Sequence, residues 1–282
     1  MEKNQSQYAE LAEFLADKYS KLKQVEAIAL GGSQMTGATD RLSDIDLYVF
    51  VNGEIPLPER EKIVASRGAS HSNMNLSFWD VGDAWFDQKT GIELDVMFWQ
   101  PNWIEEQIDR VVIRNEASVG YTTCFWHTIR NAKILFDRDS WFARLQQKCN
   151  IPYPDNLRNA IIAKNHPVLR QAIPAYYVQI KKAIERNDLI SINHRVAGLL
   201  ASYFEVIFAV NRVLNPGEKK ILSFIEKHCE KVPPHMAKQI ERVLQKTARM
   251  EEQLLPEIDN LIDGADDLLR KDGIDPEGTV GV

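Results

Sequence analysis

Apolar residues recur at Tyr8, Leu11, Phe14, Leu15, Tyr19 and Leu22. Steps of three and four along the chain predict an amphipathic helix over residues 5–23. The run from Val25 to Leu30 is short and apolar and stops at Gly31-Gly32, which reads as a buried strand ending in a tight turn. Leu42 to Val51 predicts a second strand, with Ile45, Leu47 and Val49 on one face. Pro56 to Arg67 predicts a helix, opened by prolines and closed by Gly68. Ile92 to Phe98 alternates apolar and polar residues as a third strand does, and Asn102 to Arg114 returns to helical spacing. Lys133 to Phe136, followed by Asp137, predicts a short fourth strand.

Beyond about residue 140 the strand signals stop. Helical stretches separated by Pro, Gly or Asn follow one another to about Arg270, and the six tryptophans fall before that boundary or, for Trp141, at it. The pattern predicts an α+β chain: an α/β domain over 1–140, a helical domain over 141–270, and a polar tail over 271–282. No internal repeat or low-complexity tract interrupts it.

Charge reinforces this division. Residues 1–155 carry 16 basic and 23 acidic side chains, residues 156–250 carry 16 and 7, and residues 251–282 carry 2 and 10. A net charge of −6 over 282 residues is thus built from parts of −7, +9 and −8, and such a split can mark a domain boundary. With 44% hydrophobic and 26% charged residues, the chain is neither fibrous nor disordered in type. Cys124, Cys149 and Cys229 are an odd number, far apart and in no C-x-x-C pair, so neither a disulfide framework nor a zinc site is expected. The six histidines show no metal-ligand spacing. The first residues lack the apolar run of a signal peptide, and Val196–Val210 is too short for a membrane span. A cytoplasmic protein without a membrane partner is expected.

The chemistry concentrates in Leu30-Gly-Gly-Ser-Gln-Met-Thr-Gly-Ala-Thr-Asp40-Arg-Leu-Ser-Asp44-Ile-Asp46-Leu-Tyr-Val-Phe50. On a strand, residues two apart point the same way, so Asp44 and Asp46 present their carboxylates together. Two such charges repel unless a cation lies between them. Magnesium ions resolve that conflict and suit in-line displacement at phosphorus. Gly31 and Gly32 lack a Cβ and let the backbone approach a triphosphate, where N–H groups and the Ser33 hydroxyl can meet phosphate oxygens. A third acid on a neighbouring strand completes such a site; Asp95 and Glu93 share one strand face and both qualify. The turn is not a Walker loop, because no Gly-Lys-Ser/Thr follows, and the glycines at 31, 32 and 37 do not fit the dinucleotide fingerprint.

The order Gly-Gly-Ser, about ten residues, Asp-Ile-Asp, then a later strand acid resembles the polymerase-β-like nucleotidyltransferase superfamily. The helical second part and the size look most like the bacterial branch of aminoglycoside and lincosamide nucleotidyltransferases and their uncharacterised relatives. The resemblance implies a nucleotidyltransferase domain with a small mixed sheet, followed by a helical bundle. It assigns phosphate contact to Ser33, Mg²⁺ binding to Asp44 and Asp46, and metal binding or deprotonation of the acceptor to Asp95 or Glu93. Lys133 to Asp137 is similar to the last strand of the family's catalytic domain. The strong match covers residues 25–50, and a weaker one extends to 137.

Other residues are secondary candidates. Lys219, with Arg212 and Lys220, could neutralise a triphosphate, although Pro216 and Gly217 beside them are first of all turn residues. Glu205 lies in the apolar run Val196–Val210, where a lone charge is costly. It either pairs with Arg195 or Arg212 or serves as a catalytic base. Trp79, Trp85, Trp99 and Trp103 are core residues unless one lines an acceptor pocket. The expected activity is Mg²⁺-dependent transfer of AMP from ATP to a hydroxyl of a small molecule, an aminoglycoside-type antibiotic being one option, hence a resistance function. A nucleic-acid acceptor is disfavoured by the acidic first part. The alternative is an antitoxin-like or regulatory protein that nucleotidylates or binds a protein partner. Oligomeric state is not legible.

Overall fold

A computed structural model describes residues 2–31, 44–78, 80–248 and 253–279. The expected α+β order is present: a small mixed sheet with its helices comes first, and a wholly helical region follows. Contacts divide the chain into two compact units, one formed by residues 1–109 and 128–151 and the other by 110–127 and 152–282.

In the first unit, α1 (Glu2–Ser20) precedes β1 (Val25–Leu30), β2 (Ile45–Val51) and α2 (Leu57–Arg67). Next come β3 (Ala69–Leu76), β4 (Gly82–Asp87), β5 (Glu93–Trp99) and α3 (Pro101–Val112). After α4 (Cys124–Asn131), β6 (Lys133–Asp137) and α5 (Trp141–Cys149) complete the unit. The strands lie in the order β3-β4-β5-β2-β1-β6, with β2 and β5 parallel and every other neighbouring pair antiparallel.

Strand alternation sets the two faces of this sheet. Ile45, Leu47 and Val49 of β2 and Leu94 and Val96 of β5 turn to one side and pack with Leu11, Leu15 and Tyr19 of α1. Each is a fully or almost fully buried apolar side chain, worth about 1.5–3 kcal/mol on burial. A one-residue slip of either strand would expose that whole row. The same packing therefore fixes Asp46, Tyr48 and Asp95 on the opposite face.

The hairpin of β3 and β4 is absent from the sequence expectation, which has four strands where the described residues form six. Its first strand, Ala-Ser-His-Ser-Asn-Met-Asn-Leu, is mostly exposed and lies at the sheet edge, so it carries no apolar alternation. Long-range polar contacts hold it instead. Arg60 of α2 is buried and donates to Asp83 Oδ1 at 2.5 Å, to Asn75 Oδ1 at 2.9 Å and to the Ile55 carbonyl at 3.1 Å. Gly68, which ends α2, has φ +89°, a region that a side chain rarely adopts.

The second unit contains α6 (Asp155–Asn165), α7 (Pro167–Arg170), α8 (Tyr176–Glu185), α9 (Leu189–Asn211), α10 (Ile221–His228), α11 (Met236–Thr247) and α12 (Leu254–Lys271). Helix α9 packs against α6 and α8, while α11 pairs with α12. Asp188 caps α9 by accepting from the Ser191 N–H at 3.0 Å. From Ser202 to Val210 every residue of α9 is buried, as befits a helix with neighbours on all sides. No helix among the described residues is long and apolar enough to cross a membrane.

Candidate nucleotide and metal site

Strand β1 ends at Leu30, and the N–H of Gly31 donates to the Asp46 carbonyl at 2.9 Å. This bond extends the β1–β2 ladder and ties Gly31 to the strand that carries Asp46. Gly32 and Ser33, the expected phosphate-binding residues, lie outside the described residues.

Asp44 immediately precedes β2, and Asp46 is its second residue. In the parallel pairing of β2 with β5, Asp46 is in register with Asp95. One carboxylate oxygen from each of Asp44, Asp46 and Asp95 lies within 4.8 Å of the others, and all three residues are half-buried. Three carboxylates at this spacing repel unless a cation offsets them. Hard oxygen donors held this close fit Mg²⁺, which takes one or more carboxylates and leaves positions for phosphate oxygens. Glu93 stands two residues before Asp95 on the same face of β5, at the exposed end of the strand.

Glu205 is in the second unit, 1% exposed. Its Oε1 accepts from Asn215 Nδ2 at 2.7 Å, while Oε2 is buried without a hydrogen-bond partner. Burial raises its pKa, and the Asn215 bond and the nearby Thr122 only partly offset the effect. The expected pairing of Glu205 with Arg212 does not form: Arg212 ends α9 with φ +52° and turns its guanidinium to Asp155, at 2.6 Å. Lys219 is an exposed turn residue just before α10. Trp85 and Trp99 are buried core residues and Trp103 is partly exposed; Trp79 lies outside the described residues.

The sequence reading passed over Asn215. Its backbone N–H donates to Thr123 Oγ1 at 2.8 Å, its amide donates to Glu205, and its carbonyl oxygen accepts from the Gly217 N–H at 2.9 Å. One buried side chain thus pins the turn that leads to Lys219. The Asn-Pro-Gly triplet marks the turn in the sequence, but only the fold brings Thr123 and Glu205 to it.

Residues 9–115 match the family model for the nucleotidyltransferase domain. Residues 123–220 match the model of a domain of unknown function, DUF4037. Among solved structures, the chain is similar to a nucleotidyltransferase-like protein from Exiguobacterium sibiricum 255-15. Identity is 11% and the TM-score 0.43, over 90% of this chain and 72% of that one. No match is found among curated proteins. The chain contains a nucleotidyltransferase domain, and its enzyme class is that of a nucleotidyltransferase.

Proposed function

We propose that the enzyme transfers AMP from ATP to a hydroxyl of a small-molecule acceptor, with Mg²⁺ held by Asp44, Asp46 and Asp95. The observation that carries this reading is the convergence of three carboxylates, from β2, β5 and the residue before β2, within 4.8 Å inside the segment that matches a nucleotidyltransferase domain. The catalytic domain is assigned to 1–140, the helical domain to 141–270 and a polar tail to 271–282.

When bound, the metal neutralises phosphate charge and aligns the α-phosphorus for in-line attack. The chain's own groups do the rest. Backbone N–H groups of the Gly31-Gly32-Ser33 turn and the Ser33 hydroxyl hold the phosphates. Lys219 is assigned a supporting charge for the triphosphate. The acceptor oxygen bonds to the α-phosphorus as the bond to pyrophosphate breaks, and its proton passes to a carboxylate. Asp95 is the first choice as base, because a base must first be within hydrogen-bond reach of the attacking hydroxyl. Glu93 is the second. Glu205 is weaker, since its carboxylate is enclosed by Asn215 and Thr122.

A cationic acceptor suits this surface. Exposed Glu93 and Asp80 and the three half-buried acids leave a surplus of negative charge. An aminoglycoside-type antibiotic has that chemistry, with resistance as the consequence. Incubation with α-labelled ATP and Mg²⁺, with an aminoglycoside and lincosamide panel and separately with cell lysate, tests the reading. A labelled small molecule supports it, a labelled protein points to a partner-modifying enzyme, and no transfer in either arm counts against it. Calorimetry with ATP–Mg²⁺ tests the site itself: equal binding by wild type and the Asp44→Asn/Asp46→Asn variant would remove its basis.

A further inference from the structure

We infer that Tyr48 is a positioning residue that fixes the backbone at Gly31 relative to the strand of metal-ligating acids. The inference rests on the functional reading above but concerns a residue that reading does not use.

Tyr48 lies two residues after Asp46 and therefore on the same face of β2. Its ring occupies the space beside Gly31. A Cβ placed on Gly31 would lie 2.2 Å from Tyr48 Cε2, 3.1 Å from Cδ2 and 3.2 Å from Cζ. The missing side chain at position 31 thus serves an internal contact, with the ring of Tyr48 seated directly against the backbone. The ring is not free to yield. It packs on Trp99 at a centroid distance of 4.5 Å, and its hydroxyl hydrogen-bonds with Thr128.

Two links therefore join Gly31 to the acid strand. One is the Gly31 N–H to the Asp46 carbonyl at 2.9 Å, and the other is the ring of Tyr48 against Gly31. Together they set the offset between Gly31 and Asp46, which stands in register with Asp95. Burial raises the phenol pKa, and Asp46, Asp80 and Asp44 add to the shift. Because active-site geometry tolerates errors of only about 0.5 Å, a ring held on three sides is a suitable spacer.

The test is a double-mutant cycle on the full chain, read by Mn²⁺ affinity (electron paramagnetic resonance, with and without ATP) and by Tm of the metal-free protein. Gly31→Ala should weaken Mn²⁺ binding at least about tenfold, on the scale of lost supporting contacts at metal sites. Tyr48→Leu shortens the side chain where the clash occurs. Adding Gly31→Ala to it should cost less than about twofold further, whereas independent sites would add their full effects. Tyr48→Phe keeps the ring and should bind Mn²⁺ within about twofold of wild type. Affinities are compared well below each variant's Tm, so loss of fold does not enter. Additive losses in the double variant, or unchanged Mn²⁺ affinity in Tyr48→Leu, overturn the assignment of Tyr48 alone. Absence of wild-type Mn²⁺–ATP binding overturns the functional reading and the positioning role with it.

Discussion

Asp46 and Asp95 stand in register on adjacent parallel strands, β2 and β5. Both reach the same face because Leu47 and Val96, one residue further on each strand, are locked into the core beneath. Their proximity follows from sheet pairing, so neither carboxylate can withdraw from the other without breaking the ladder. Asp46→Asn removes one negative ligand and leaves the strand intact. We expect Mg²⁺-dependent ATP binding and turnover to fall at least about 100-fold, since loss of mere supporting partners at metal sites costs 10–100-fold. The Tm of the metal-free protein should hold or rise, because like charges are being removed. Isothermal titration and differential scanning fluorimetry on the same preparation check both statements.

A buried ion pair between Arg60 and Asp83 helps to hold the edge hairpin. Arg60 and Asp83 are both almost wholly enclosed, and Asp83 Oδ1 also accepts from the Asn75 N–H at 2.8 Å. Arg60→Ala strands the Asp83 carboxylate in the interior and should cost about 3–5 kcal/mol in urea unfolding. Replacing both partners with apolar residues, as in Arg60→Met/Asp83→Leu, should recover a substantial part of that loss. A double variant no more stable than Arg60→Ala would show that the arginine contributes through Ile55 and Asn75 instead.

These two cases show what the sequence could and could not disclose. The strands around the acids were legible because a buried row beside an exposed row leaves period-two alternation, as in Ile45-Asp-Leu-Tyr-Val. Asp44, Asp46 and Asp95 were legible because acids at such positions are costly and stand out. The β3–β4 hairpin was not, since Ala69–Leu76 is an edge strand with little to bury, held by Arg60 from another element. Neither was the role of Asn215, whose partners Thr123 and Glu205 are distant in the chain. Tyr48 sits between: its face follows from its spacing to Asp46, but its contact with Gly31 needs the fold.

No disulfide joins the three cysteines, and their surroundings suppress their reactivity. Burial pushes the thiols of Cys149 and Cys229 up to about 12. That of Cys124 is raised as well, by burial and then by Glu205 and Glu218. The thiolate is the reacting species. At pH 8 a thiol of pKa near 12 is ionised to only about 10⁻⁴, against roughly a quarter for an ordinary one. Labelling of the native protein with a disulfide reagent should be slow at all three positions and rapid for all three in urea. A fast native phase would place at least one thiol in an accessible, polar setting.

Glu205 gives a pH signature of its own. Burial raises its carboxyl above the ordinary carboxylate range, so the folded state retains a proton that the unfolded chain gives up. Between the ordinary and the raised pKa the native protein binds more protons than the unfolded one, so stability falls as pH rises across that window. Above the raised value the contribution is constant. Glu205→Gln cannot ionise, and its oxygen can still accept from Asn215. Its amide stands where the carboxylate Oε2 is buried without a partner, a fixed cost with no slope. The stability advantage of wild type over the variant should therefore narrow as pH is raised from 4.5 to 8, in urea midpoints measured at each pH. Asn215→Ala deletes the amide that links Glu205 to the Gly217 turn and should cost about 1–3 kcal/mol. Turnover separates this clasp from direct chemistry: Glu205→Gln should keep its activity within a few-fold wherever it is folded. If instead activity vanishes in a fully folded variant, Glu205 takes the acceptor's proton and Asp95 is left with the metal alone.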